Sequence, residues 1–253
     1  LDRKIYSKSL VIRKYCYRGI KYRSLIMQEG LKLQLLREVN RRLKSTLPEA
    51  SIEIVSLPGL PSVRLGLINS DFPTGPLDAD TMNAVIKKPA YWAFCWGSGL
   101  ATASYILNNP QLVVDKNICD LGTGSGIVAI AAKKAGAREV LACDIDPDAL
   151  KATELNCHIN EVEVSLIDNL DEIVEPVSLM FMADVLYDKN NFALIEVALS
   201  RAEALIIADS RINNLGDKRF KIFDKMEMLT IPNLGEFDEY KEVTFYSSKK
   251  IYL

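Results

Sequence analysis

The chain has 253 residues, 49% of them hydrophobic, and 31 Lys and Arg against 33 Asp and Glu leave a formal net charge of -2. That length supports one α/β core with an extension, and no apolar run reaches the roughly 18 residues a membrane-spanning helix needs. A near-zero net charge supplies no broad positive field, so neither nucleic acid nor a membrane is expected as partner.

Residues 1–26 differ from the rest: eight Lys or Arg accompany one acidic residue, Asp2, with Tyr6, Tyr15, Tyr17 and Tyr22 interspersed. They read as a basic arm, as a targeting presequence, or as an over-extended reading frame, since the chain opens on Leu1 and its first methionine is Met27. Leu31, Leu35, Val39 and Leu43 then recur every four residues with Leu36 and Leu47 beside them, which predicts an amphipathic covering helix closed by Pro48. Ile52 and Ile54 alternate with polar residues before Leu57-Pro58-Gly59-Leu60-Pro61, and Val63, Leu65 and Leu67 alternate after it, as in two short strands joined by a turn. Residues 71–80, with Phe72-Pro73-Thr74-Gly75-Pro76, read as a loop able to fold over a ligand.

The most informative segment follows. An apolar, strand-like run through Val113-Val114 and Asn117-Ile118-Cys119 meets Asp120-Leu121-Gly122-Thr123-Gly124-Ser125-Gly126, and a helix-like run from Ile127 to Ala132 continues it. Glycines where a strand hands over to a helix let the backbone bend sharply, admit a ligand closely and leave free N–H groups at the helix start. After Gly136, which suits a helix C-terminus, the strand Val140-Leu141-Ala142-Cys143 ends in Asp144. A carboxylate there, about 20 residues beyond the glycines, can accept hydrogen bonds from both ribose hydroxyls, with Ile145 against an adenine. Asp146 and Pro147 start a helix toward Asn160, and a third strand over 162–167 ends at Asp168-Asn169, where a side chain can read the adenine edge. A fourth, nearly unbroken apolar strand over 177–183 runs into Asp184-Val185-Leu186-Tyr187, which directs Asp184 and Tyr187 toward the ligand. Strand five covers 204–208, and candidates at 226–231 and 242–246 flank Pro232-Asn233-Leu234-Gly235 as a closing hairpin.

The dinucleotide fingerprint G-x-G-x-x-G needs glycine at 127, which is Ile127, and no histidine stands ready to relay a hydride, so an NAD dehydrogenase is disfavoured. The pattern here, acidic-x-G-x-G-x-G, resembles motif I of the class I S-adenosylmethionine (SAM)-dependent methyltransferases. Asp184-x-x-Tyr187 resembles the D-x-x-Y signature of seven-β-strand protein lysine methyltransferases. The stretch Pro89-Ala90-Tyr91-Trp92-Ala93-Phe94-Cys95-Trp96-Gly97-Ser98-Gly99 is similar to one in the branch that methylates the β-subunit of electron transfer flavoprotein. Where that branch carries a Gly-Asp-Pro-like turn after strand five, this chain has Ala208-Asp209-Ser210-Arg211.

The resemblance implies an α/β fold with a Rossmann-like seven-stranded sheet, mostly parallel with the last strand antiparallel, and an N-terminal helical and β-hairpin extension. The expected organisation is 1–49 as basic arm and helix, 50–110 as strands and covering loop, and 111–253 as the methyltransferase domain. It implies SAM held by Trp96, Asp120, Gly122, Gly124, Gly126, Asp144, Ile145, Asp168, Asn169 and Asp184, with Trp96 closing over the adenine or the sulfonium and Trp92 in the core. Asp184 and Tyr187 are the candidate catalytic pair, orienting a lysine ε-amine of a protein substrate, such as an electron transfer flavoprotein β-subunit-like protein, after the amine has lost its proton. A small-molecule N-methyltransferase acting on a nicotinamide-like amine and a SAM-binding module without turnover are the alternatives. Five cysteines without a C-x-x-C pair read as free thiols of a reducing compartment, hence a cytoplasmic protein, or a mitochondrial matrix one if the basic arm is a presequence. No Cys/His cluster has metal-ligand spacing, and His158 alone reads as a structural helix residue.

Overall fold

The computed structural model describes residues 28–234 and 241–249. The basic arm 1–26 with Cys16, the helix start at Met27 and Gly235 of the expected hairpin turn lie outside the described residues. Helix α1 covers 28–44 and buries Leu35, Val39 and Leu43, as the four-residue recurrence predicts. Leu31, expected on the same face, is exposed, and the helix stops at 44 rather than at Pro48. Strands β1 (Ile52–Leu57) and β2 (Leu60–Ile68) pair antiparallel across the Pro58-Gly59 turn, where Gly59 takes the left-handed φ of 75°.

The main sheet holds β3 (Asn117–Leu121), β4 (Glu139–Cys143), β5 (Ser165–Ile167), β6 (Leu179–Ala183), β7 (Leu205–Asp209), β8 (Lys221–Glu227) and β9 (Glu242–Ser247), in the order β5-β4-β3-β6-β7-β9-β8. Strands β3 to β7 run parallel, and β9 is antiparallel to both of its neighbours, as expected for the last strand. The central strands read as continuous apolar runs because alternate residues enter two different cores. Ile118, Val140, Phe181 and Ile206 pack on the side of helices α3 (Gly97–Asn108) and α4 (Ile127–Lys134), whereas Cys119, Cys143, Met180 and Ile207 pack on the side of α6 (Leu194–Arg201). Helix α3, N-terminal to the expected boundary at 110, shares the first of these cores with α4.

Helix α5 (Pro147–Asn160) joins the N-terminal hairpin to the sheet. Its Asn156 accepts a hydrogen bond from the Gly66 N–H at 2.7 Å, and Asn160 both accepts from the Arg64 N–H and donates to the Arg64 carbonyl. Two side-chain amides thus continue the β2 edge as a strand would. Gly66 permits the approach, since a Cβ there would lie 3.0 Å from Ile52 Cγ2.

Several boundaries differ from expectation. The third strand is only Ser165–Ile167, Val177 makes a lone bridge to Ala202 outside β6, and Val113 and Val114 precede β3 in a turn. The strand expected over 226–231 is Lys221–Glu227, an edge strand whose exposed face carries charges and so lacks an apolar signature, while Ile231 instead exchanges backbone hydrogen bonds with Cys95. The loop expected over 71–80 runs into a helix, α2 (Ala79–Lys87), because Asp78 caps it by accepting from the N–H groups of Asp80 and Thr81.

Candidate active site

A cavity of about 640 Å³ opens at the carboxyl ends of β3, β4 and β6, where an open parallel sheet binds ligands. Its floor is the glycine turn. Gly122 and Gly124 border the cavity with φ of 73° and 52°, and a Cβ on Gly122 would come within 2.6 Å of Val185 Cγ2. Gly126 serves the fold instead: at φ 80° it is the N-cap of α4, packs against Thr153 and does not border the cavity.

Asp120 differs from its expected role in the same way. Its buried carboxylate accepts from Thr123 Oγ1 at 2.7 Å and from the Ala129 N–H at 3.1 Å, and it does not face the cavity. Because Gly126 has no side chain to cap α4, a carboxylate on the preceding strand satisfies that helix start. Burial pushes the Asp120 carboxyl up to about 6 against both hydrogen bonds.

Asp144 stands where the ribose reading places it. Oδ2 accepts from the Gly124 N–H and Oδ1 from the Asp146 N–H, both at 3.0 Å, which fixes the carboxylate at the cavity wall with one further lone pair on each oxygen. Burial raises its pKa above the ordinary carboxylate value. Ile145 is 91% exposed inside the cavity, an apolar side chain awaiting a flat ligand. Asp168 and Asn169, expected at the adenine edge, are exposed and do not border the cavity; Asn169 instead caps the following 3-10 turn by accepting from the Asp171 N–H.

The opposite wall is aromatic. The Trp96 indole N–H donates to the Tyr91 carbonyl at 2.8 Å, and Tyr91 meets both Trp96 and Tyr187 edge to face, with centroids 5.8 and 5.5 Å apart. Trp92 is buried, as expected of a core residue, although its edge borders the cavity. The C-terminal end of α2, at Lys87 and Lys88, borders the mouth, whereas the preceding loop does not.

Asp184 follows β6 with an unusual φ of 54° and is not the cap of the segment beginning at Lys189, which is capped by Asp188. Its two oxygens accept from the Ser98 N–H at 2.9 Å and the Ser98 Oγ at 2.6 Å, so it caps α3, whose own N-cap, Trp96, makes no side-chain cap. Burial pushes its carboxyl up to about 6, aided by nearby Asp209 and opposed by Ser98 and Arg211. Arg211 was absent from the expected set. Its guanidinium lies 3.7 Å from Asp184 Oδ1 and 5.9 Å from the Trp96 ring centroid, at the edge of the cavity. Arg211 lies in the turn where the sequence departs from the Gly-Asp-Pro-like pattern. Tyr187 is half exposed at the mouth, its phenol pushed up chiefly by burial.

The donor set therefore suits an adenosyl ligand: a fixed carboxylate for two hydroxyls, an apolar face for a ring, a turn without Cβ atoms, and carboxylates with aromatic faces for a cation. Fold and cavity together resemble those of the class I, SAM-dependent methyltransferases. The profile of the ribosomal protein L11 methyltransferase (PrmA) family matches residues 93–189. The electron transfer flavoprotein beta subunit lysine methyltransferase of Homo sapiens is 41% identical over 105 residues, covering 40% of this chain and 39% of that protein. The ribosomal protein L11 methyltransferase of Geobacter sulfurreducens is 56% identical over 92 residues, covering 36% and 31%. The crystal structure of ribosomal protein L11 methylase from Lactobacillus delbrueckii aligns with a TM-score of 0.46 at 26% identity, over 60% of this chain and 79% of that one. The chain thus spans about two fifths of the length of the human relative.

Proposed function

We propose that this chain transfers a methyl group from SAM to the ε-amine of a lysine in a protein, the acceptor being similar to the β-subunit of electron transfer flavoprotein. The observation that carries the reading is Asp184, a buried carboxyl held by Ser98 at the cavity that the glycine turn and Asp144 line, with Tyr187 at its mouth. The name of the human relative supports a lysine acceptor.

Bound here, SAM supplies an electrophilic methyl group. Gly122, Gly124, Asp144 and Ile145 would hold its adenosyl part, and Trp96 would offer a ring face to a cation. Asp120 and Gly126 act through the turn they shape. The protein's remaining tasks are to align a neutral amine and exclude water. A lysine ammonium entering past Tyr187 gives its proton to the Asp184 carboxylate: an N–H bond breaks, an O–H bond forms and the amine keeps the lone pair. With lysine near 10.4 and Asp184 at about 6, that transfer is uphill by roughly 6 kcal/mol, against roughly 9 kcal/mol for an ordinary carboxyl. The raised Asp184 therefore lowers the cost, and the Tyr187 hydroxyl orients the amine.

Tritiated-methyl SAM incubated with the purified protein and a host lysate tests the reading. Label should enter a protein band, and Asp184→Asn should reduce incorporation by about 10²-fold or more at saturating SAM. Label confined to small molecules would replace the lysine acceptor with a small amine, and tight SAM binding without labelled product would leave a binding module.

A further inference from the structure

We propose that Asp209 is a positioning residue of the acceptor site: its buried carboxyl, beside Asp184 at neighbouring strand ends, helps that pair keep a proton and, through its backbone partner, presents Arg211 to Asp184. The inference rests on the reading of Asp184 as the proton acceptor.

Strands β6 and β7 pair in parallel with Ala183 opposite Ala208, and the Asp184 N–H donates to the Ala208 carbonyl at 3.1 Å. The next residues are Asp184, just beyond β6, and Asp209, the last residue of β7, which pairs with Thr244 of β9. Asp209 is only 1% exposed. Its Oδ1 accepts from the Arg211 N–H at 2.8 Å, and the backbone N–H groups of Ile212 and Leu186 also face the carboxyl. Burial raises its pKa above the ordinary carboxylate value, against Arg211 and these backbone contacts. The groups facing Asp184 are the Ser98 hydroxyl of α3, the Cys95 thiol, Asp209 and the Arg211 guanidinium; those facing Asp209 are Arg211 and, from β9, the Tyr246 phenol. Two carboxyls beside one guanidinium leave room for one proton, and two such neighbours titrate as a pair.

Asp209 thus has two separable effects. Its charge makes Asp184 readier to take the proton an acceptor ammonium releases, and its contact with the Arg211 N–H aims a cation at the same carboxylate, which opposes that uptake. Asp209→Asn keeps the oxygen that accepts from Arg211 and removes only the charge. Arg211→Gln keeps the Asp209 contact and removes only the cation.

The test is a carbon-13 NMR titration of the full chain labelled at its aspartate carboxyls, with the Asp184 resonance assigned through Asp184→Asn. In Asp209→Asn the Asp184 midpoint should fall by about one pH unit or more, and the two-step wild-type curve should become a single step. In Arg211→Gln, which alters a side chain at the cavity edge and is expected to fold even if the first variant does not, the midpoint should rise. An Asp184 midpoint that stays in place in either variant overturns the proposal. Because the titration needs neither SAM nor acceptor, it can fail while methyl transfer stands, and hold where no lysine is methylated.

Discussion

Three aspartates at the carboxyl ends of neighbouring strands show how one residue type does different work according to where its oxygens point. Asp120 turns inward and caps α4, Asp184 caps α3 while facing the cavity, and Asp144 holds the glycine turn through Gly124 and keeps lone pairs for a ligand. Hydrogen bonds to a charged acceptor contribute about 1.5–3 kcal/mol each, so losing two ribose contacts should cost at least roughly 100-fold in affinity. Asp144→Ala is therefore expected to bind SAM at least about 100-fold more weakly by isothermal titration calorimetry, with Asp144→Asn between it and the parent. Undiminished binding by the alanine variant would remove Asp144 from the cofactor contact. The glycine turn and Asp144 were legible because strand, turn and strand end are local in sequence. Asp168 was misplaced by the same logic: it ends a strand, but β5 is short and at the sheet edge, so its end lies away from the cavity. Arg211 and Ser98 carry no local signature, since what places them is the packing of β7 and α3 around Asp184.

At the scale of elements, the active site depends on helices whose N-termini are capped from the sheet rather than by their own preceding residues. Gly126 and Trp96 make no side-chain caps, so α4 and α3 are satisfied by β3 and by the residue after β6. Such long-range caps are invisible to a search for Ser, Thr or Asp at a helix start. Helix α2 has an ordinary acidic cap but no apolar periodicity to announce it, because its residues bury no apolar face. The central strands were legible as apolar runs, and β8 was not, because an edge strand with a charged face shows no such run. Helix α5 offers the clearest test of coupling between elements. Asn156 accepts from Gly66 on β2 and donates to the Ser125 carbonyl in the glycine turn at 2.8 Å, so one buried amide ties the extension to the cofactor floor. Asn156→Leu leaves a buried N–H and a buried carbonyl unpaired, at about 1–3 kcal/mol each. We expect the melting temperature to fall by roughly 6–12 °C and SAM affinity to fall with it. A variant that melts like the parent would show that water or local rearrangement satisfies both groups.

Across the whole molecule, charge is distributed so that the cover and the cavity respond to pH in opposite directions. Asp148 at the start of α5 is paired with Arg42 on α1 and Lys88 after α2, which clamps the covering elements to the sheet beside the cavity. Burial works to raise that carboxyl, and the Lys88 and Arg42 contacts overcome it, so its pKa is lowered. A lowered folded pKa contributes stability above about pH 4 that is lost as pH falls further, so acid loosens the clamp. The cavity behaves in the reverse way, since Asp184, on its wall, stands at about 6 and Asp144 is also raised. A raised folded pKa gives a contribution fully present below about pH 4 and lost as pH rises through 6, roughly 3 kcal/mol for Asp184. The ligand-free protein should thus be penalised near neutrality by anions gathered for a cation. A cationic ligand reverses that penalty by favouring the ionised carboxyls, and linkage then makes its binding tighter as they lose their protons. Saturating SAM should raise the melting temperature more at pH 8 than at pH 5. Its demethylated product, whose sulfur is uncharged, should show a smaller pH dependence that reflects Asp144 and the ribose alone. NAD at the same concentration should leave the melt unchanged. A SAM effect that is equal at the two pH values, or larger at pH 5, would mean that the raised carboxyls do not meet the sulfonium, and would place the cation elsewhere in the cavity.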